Sequence, residues 1–168
     1  MDEAGEAKAL LAVGKYREAA RVLDGLLRRN QENNDLWYLR GLVSLKLKSY
    51  DNALECFERA LAIGKKSRYH QIKGMAHFEI FELDEAEQEF LKALALEPDD
   101  ATTNFFLAMC YLFQDDPRSE KYIAKAYKLN GRKTKQLLMN FYTLFLKTDP
   151  RVREAQKKNV EERIRKLK

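Results

Sequence analysis

The chain has 168 residues, 34% of them charged, only seven glycines and three prolines, and a net charge of +5. That length supports one sizeable core or one repeat array, and the composition is helical rather than strand-like. No apolar run approaches the ~20 residues needed to cross a bilayer, and the acidic start Met1-Asp2-Glu3-Ala4 lacks the pattern of a secretory leader, so a soluble, cytoplasmic setting is expected.

Residues 1–33 read as a first pair of antiparallel helices, A then B, joined by a tight turn at Gly14-Lys15. Ala7 marks its A helix, and Tyr16, Ala19 and Leu23 mark its B helix. Glu3 and Glu6 stand where later copies are aromatic or apolar, which suits a terminal repeat with a polar outer face. Residues 34–66 present Trp37, Gly41, Tyr50, Ala53, Phe57 and Ala60, and residues 67–100 present His70, Gly74, Leu83, Ala86, Phe90, Ala93 and Pro98. Gly41 to Gly74, Ala53 to Ala86, Phe57 to Phe90 and Ala60 to Ala93 share one offset of 33 residues. Small residues mark close backbone approach, and the two phenylalanines fill the gap between A and B. Pro98 has no amide donor and cannot extend a helix.

This period, and the order aromatic, Gly, aromatic, Ala, Phe, Ala, Pro, resemble the tetratricopeptide repeat (TPR) family. The resemblance covers roughly residues 1–147. It implies an all-α, right-handed α-solenoid of antiparallel helix pairs, a fold that supplies a surface rather than a reaction. Residues 101–133 fit a fourth repeat, with Ala108 in the place of Gly41 and a one-residue deletion in its B helix. Asp116-Pro117 is a helix start and Asn130-Gly131 a helix stop. Residues 134–147 fit a lone A helix of a fifth repeat. Asp149-Pro150 restarts a charged C-terminal helix over 148–168, with one thin apolar stripe of Val152, Ala155, Val160, Ile164 and Leu167.

Nothing in this pattern points to catalysis. No phosphate loop, dinucleotide fingerprint, nucleophile elbow or zinc-protease motif is present. His70 and His77 lie seven apart on one helical face, but no third and fourth ligand has suitable spacing, so packing is the expected role, with no metal and no cofactor. Cys56 and Cys110 have no CxxC partner and read as small buried thiols.

The TPR resemblance implies that A helices line a concave groove through repeat positions 2, 5, 6, 9, 12 and 13. Transferred residue by residue, the candidate partner-binding positions are Tyr38, Leu39 and Leu42 in the second repeat, and Ile72, Met75 and Phe78 in the third. The fourth supplies Phe105, Phe106, Met109 and Phe113, and the fifth Leu138 and Tyr142. An apolar groove suits an amphipathic helix or apolar segment of another protein. A second copy of the chain is the self-assembly alternative. The fourth A helix is apolar nearly all round and therefore needs cover on every side, from a ligand, another copy or the tail helix. Chaperone-tail binders of this family use a clamp of Lys, Asn and Arg at fixed groove positions. At most one basic residue matches here, so an acidic chaperone tail is not expected.

The basic residues are unevenly spread. From Arg132 to Lys168 there are twelve Lys and Arg against four carboxylates, which leaves a net −3 for residues 1–131. RNA or an acidic surface is thus the rival partner, through Arg132, Lys133, Arg151, Arg153, Lys157, Lys158, Arg163, Arg165 and Lys166. No aromatic residue follows Tyr142 to stack on bases, so nucleic acid ranks below a protein partner.

Overall fold

The computed structural model describes residues 4–166, with the side chains of all but residues 144, 145, 163, 164 and 166. Among the described residues every regular element is helical: α1 (Gly5–Ala12), α2 (Tyr16–Arg29), α3 (Asn34–Lys46), α4 (Tyr50–Ile63), α5 (Ser67–Glu79), α6 (Leu83–Leu96), α7 (Ala101–Phe113), α8 (Arg118–Phe141), a π-helical turn (Tyr142–Leu146) and α9 (Glu154–Lys166). The chain forms two compact units, Met1–Glu82 and Leu83–Lys168. The expected division at residue 148 separates the tail from the repeats; the compact units divide the chain within the third repeat.

The turns carry the clearest repeat signature. Gly14, Lys48, Phe81 and Asp115 all have positive φ, and each sits between an A helix and its B helix. In each turn this residue's amide bonds to the carbonyl three back. The next amide reaches five back: Lys15 to Leu10, Ser49 to Ser44, Glu82 to His77 and Asp116 to Tyr111. This is the paired bonding of a Schellman ending, which satisfies A-helix carbonyls that have no helical partner. Only the first copy uses glycine; the other three accept a left-handed conformation that L side chains enter at a cost.

In the first unit Ala19, Leu23, Leu36, Val43, Ala53, Phe57 and Ala76 are buried in two adjoining clusters. Gly41 is the tightest point. A Cβ built on it would lie 2.3 Å from Cε1 of Phe57, and that ring is itself fully buried. The missing side chain is therefore what lets α3 approach α4.

In the second unit α7 is buried at eleven of its thirteen positions. Asp100 caps it, accepting from the Thr103 amide at 2.6 Å. Tyr111 donates its hydroxyl to Glu87 of α6 at 2.9 Å, and Arg118 of α8 lies 4.1 Å above the same ring, so one buried phenol joins three helices. The helix start at 116–117 falls slightly later than expected, at Arg118, with Asp116 accepting the Arg118 amide. The expected stop at Asn130-Gly131 appears as a break inside α8. Asn130 leaves helical geometry (φ −155°, ψ 86°), and its side chain caps the following segment by accepting from the Lys133 amide at 2.9 Å. The fifth A helix therefore starts just after this break, earlier than 134, and ends in the π-helical turn.

The tail supplies part of the cover that α7 needs. Val152, Gln156 and Val160 are buried. The Gln156 amide donates to the carbonyls of Leu112 (3.3 Å) and Phe113 (3.1 Å) at the end of α7. Arg153 pairs with Asp115, and the Tyr142 hydroxyl donates to Glu161. Of the expected apolar stripe, Ala155 is exposed, while Ile164 and Leu167 lie outside the described side chains.

Two outcomes test this packing. Gly41→Ala gains roughly 1 kcal/mol of helix propensity but forces a methyl group into the Phe57 ring; a net loss of about 1–2 kcal/mol in urea unfolding is expected from overpacking. An unchanged midpoint would show that α3 and α4 are not so close. Gln156→Ala removes the side-chain donor from the Phe113 carbonyl, and one of two donors from the Leu112 carbonyl, which keeps the Asp115 amide, and should cost about 1–3 kcal/mol; a cost below ~0.3 kcal/mol would mean the tail does not dock in this way.

Candidate interaction surfaces

In the first unit, α3 and α5 present the candidate positions of the second and third repeats. Asn33 caps α3, accepting from the amides of Asp35 (3.0 Å) and Leu36 (3.1 Å). That start fixes the rotation of the helix, so Leu39 goes into the core while Tyr38 and Leu42 stay half-buried at its edge. On α5, Phe78 is buried and Ile72 and Met75 are half-buried. Four of these six candidates therefore keep part of their apolar surface open: Tyr38, Leu42, Ile72 and Met75.

A polar network borders them at the helix N-termini. Asp35 accepts from Lys66 Nζ at 3.0 Å, from the Tyr69 hydroxyl and from the Arg68 guanidinium. Burial pushes its carboxyl upward, but the Tyr69 and Lys66 hydrogen bonds and the Arg68 charge outweigh it, and Asp35 titrates below the ordinary carboxylate range. Arg68 lies 5.0 Å over the ring of Tyr38 and 5.2 Å over that of Tyr69. Tyr38 and Tyr69 pack with centroids 5.1 Å apart. At the other helix ends Lys46 and Glu79 are exposed, and Glu79 accepts from the Tyr50 hydroxyl at 3.1 Å.

The second unit treats its candidates differently. Phe105, Met109, Phe113 and Leu138 are buried. Phe105 meets Phe141 edge-on at 6.0 Å, and Phe113 meets the same ring at 6.0 Å. Phe106 is half-buried, stacked on Phe90 at 5.9 Å. Tyr142 is half-buried with its hydroxyl held by Glu161, which pushes its pKa upward. These side chains pack largely on one another and on the rest of their own unit.

The histidines are not brought to a common ligand. His77 Nδ1 lies 2.6 Å from Glu82, and no cluster of three or more His, Cys, Asp or Glu suited to a metal occurs among the described residues. Cys56 and Cys110 are free and buried; burial pushes Cys56 to about 11 and Cys110 upward too, so neither is an activated thiolate. One feature has no counterpart among the groove positions. Trp37 donates its indole N–H to the Gln31 carbonyl at 2.8 Å and is covered by Arg59 at 5.4 Å. Beside it lies an open cleft of about 380 Å³ lined by Glu32, Glu58 and Ile63 among others. The repeat offset that relates Trp37 to His70 marks a packing position, and nothing in that spacing signals a cleft.

Two models of the tetratricopeptide repeat match the sequence, over residues 5–68 and 67–100. Among solved structures, MamA (residue 41 to the end) from Desulfovibrio magneticus RS-1 is 20% identical with a TM-score of 0.73, covering 99% of this chain and 94% of that chain. YrrB, described as a TPR protein with an unusual peptide-binding site, is 16% identical with a TM-score of 0.68, covering 96% and 82%. A chain of the APC/C hetero-tetramer Cut9–Hcn1 is 18% identical with a TM-score of 0.73, covering 82% of this chain and 28% of that one. At these identities the likeness is one of fold. No curated protein matches the sequence. The recurrent turns, the Gly41–Phe57 contact and the matches that together span residues 5–100 have one reading: the chain belongs to the tetratricopeptide repeat family and is an all-α TPR solenoid.

Proposed function

We propose that the protein is a non-catalytic scaffold that binds an apolar or amphipathic segment of another protein on the α3–α5 face of its first unit. The observation that carries this is the set of half-buried side chains Tyr38, Leu42, Ile72 and Met75. They have apolar surface left over after folding, and charged groups stand at both ends of their helices. Desolvating these four would favour a partner that brings aliphatic or aromatic groups between polar termini. YrrB is described as peptide-binding, which supports this reading without naming a partner here. Arg68 is already engaged by Asp35, in keeping with a site that does not clamp an acidic chaperone tail. A second copy of the chain remains the alternative occupant. The RNA reading loses support in the tail, where Arg151 pairs with Asp149, Arg153 with Asp115 and Lys157 with Glu154.

The test is affinity capture with the whole chain against Ile72→Asp and Met75→Asp, alongside sedimentation and thermal melting. A charge placed where a partner's apolar side must sit costs several kcal/mol when desolvated. Proteins held by the wild type should be lost from both variants while melting changes little. Capture that is indifferent to both changes would sink the proposal. Loss of a wild-type dimer in the same variants would assign the face to a second copy.

The Asp35 network has its own pH signature. Its folded pKa is depressed, so its contribution is present above the unfolded value of about 3.9 and is lost as pH falls through the folded value. With the side chain 51% exposed, the effect is screened to roughly 0.5 kcal/mol. Asp35→Asn should be destabilised by that order at neutral pH, and the difference from wild type should vanish at pH values below the folded pKa. A difference that persists there would show that charge is not its source.

A further inference from the structure

Trp37 is the only tryptophan of the chain, and two open clefts of the first unit share it as a wall, together with Gln31 and Arg59. One cleft, of about 380 Å³, runs to Glu32 and to Glu58, Ala62 and Ile63 of α4. The other, of about 340 Å³, runs to Asp24, Leu27 and Arg28 of α2. The indole is held from two directions, its N–H by the Gln31 carbonyl and its face by Arg59. The wall is therefore formed before a ligand arrives, which spares the cost of ordering it.

The two clefts differ in charge. Most of their ionic groups are already neutralised within the unit. Asp24 holds Arg40 at 2.6 Å, Glu58 holds Lys73 at 3.2 Å, and Arg59 pairs with Glu55 at 3.3 Å. Glu32 and Arg28 are exposed, and neither has a side-chain partner among the described residues. The first cleft is thus left with a carboxylate and the second with a guanidinium. A helix end adds to the first. The carbonyl end of a helix favours positive charge, yet α4 ends at Ile63 with no basic residue in its last turn, whereas α2 has Arg28 and Arg29. Apolar surface accompanies these charges: Trp37 is half-buried and Ile63 is 37% exposed.

This combination selects among ligands. A nucleic acid could stack on Trp37 and meet Arg28, but Glu32 and Glu58 would repel its phosphates. A small molecule needs a pocket that encloses most of its surface, and both clefts are open. An extended peptide can cross an open wall and offer side chains of opposite charge to the two clefts.

We propose that the Trp37 wall is a second docking site, taken by a segment of another protein that carries an apolar residue between a basic and an acidic one. The basic side chain enters the Glu32 cleft and the acidic one the Arg28 cleft. The site shares no residue with the set Tyr38, Leu42, Ile72 and Met75, so it stands or falls apart from the α3–α5 face.

A single tryptophan makes its emission a readout of this wall. Four acetylated and amidated peptides are titrated into the full chain: Lys-Gly-Leu-Gly-Glu, Glu-Gly-Leu-Gly-Lys, Lys-Gly-Leu-Gly-Lys and Glu-Gly-Leu-Gly-Glu. At least one mixed-charge peptide should change the emission saturably by millimolar concentration, and bind about three-fold more tightly than either like-charged one. Glu32→Lys should pass the preference to the peptide with two Glu, and Arg28→Glu to the peptide with two Lys. Both positions are exposed, so far-UV circular dichroism should not change. Ile72→Asp should leave the titration as it is. No saturable change with any peptide, a like-charged peptide that binds the wild type as well as the mixed ones, or charge variants that keep the wild-type preference would each overturn the proposal. Loss of the response in Ile72→Asp with helicity retained would move the binding to the α3–α5 face and remove the second site.

Discussion

Phe57 fills the space that a side chain on Gly41 would occupy, and the first unit is spaced around that contact. The ring is fully buried, so it separates α3 from α4 by its own thickness and no more. Ala53, one turn earlier on α4, and Ala60, nearly one turn later, are equally buried and equally small. An aromatic wedge between small residues holds two helices close and leaves little room for slippage, because interiors pack at crystal-like density. Phe90 with Ala86 and Ala93 repeats the arrangement on α6, where all three are fully buried.

Features of this kind could be read from the sequence because the residue type is itself the constraint. A glycine where a Cβ has no room, a phenylalanine in the gap and a proline that stops a helix state their reasons without coordinates. The left-handed turns were harder to read. Only Gly14 announces one; Lys48, Phe81 and Asp115 adopt the same conformation because the two helices they join demand it. Tertiary demand overrides local preference there. The break in α8 was legible from Asn130-Gly131, although the capping role of the asparagine moves the next helix start forward.

The candidate surface was only half legible. Repeat positions say which side of a helix a residue occupies, but they do not say how deep the next element buries it. Leu39 and Leu42 both stand at groove positions, yet one is core and the other half-open. Counting charge from Arg132 onward merges exposed cations of α8 with tail residues that are paired by Asp115, Asp149 and Glu154. Net charge over a segment does not distinguish the two settings.

The two units resolve one problem in opposite ways. An A helix in a repeat array has a flank that its immediate neighbours do not cover. In the second unit that flank is closed from within the chain. Phe141 comes against Phe105 and Phe113, and Gln156 of the tail helix ties off the carbonyls at the end of α7. The cost is a helix with eleven of thirteen residues buried and little left to offer a partner. In the first unit the corresponding residues are mixed with charge: Asp35, Arg68, Lys46 and Glu79 stand around Tyr38, Leu42, Ile72 and Met75. Such a face leaves apolar surface in contact with water beside charged groups, which is the surface the proposed partner would cover. The same repeat position is therefore core where Met109 stands, and half-open where Leu42 and Met75 stand. What separates them is the chain that follows, because only the last repeats have a tail to fold back over them.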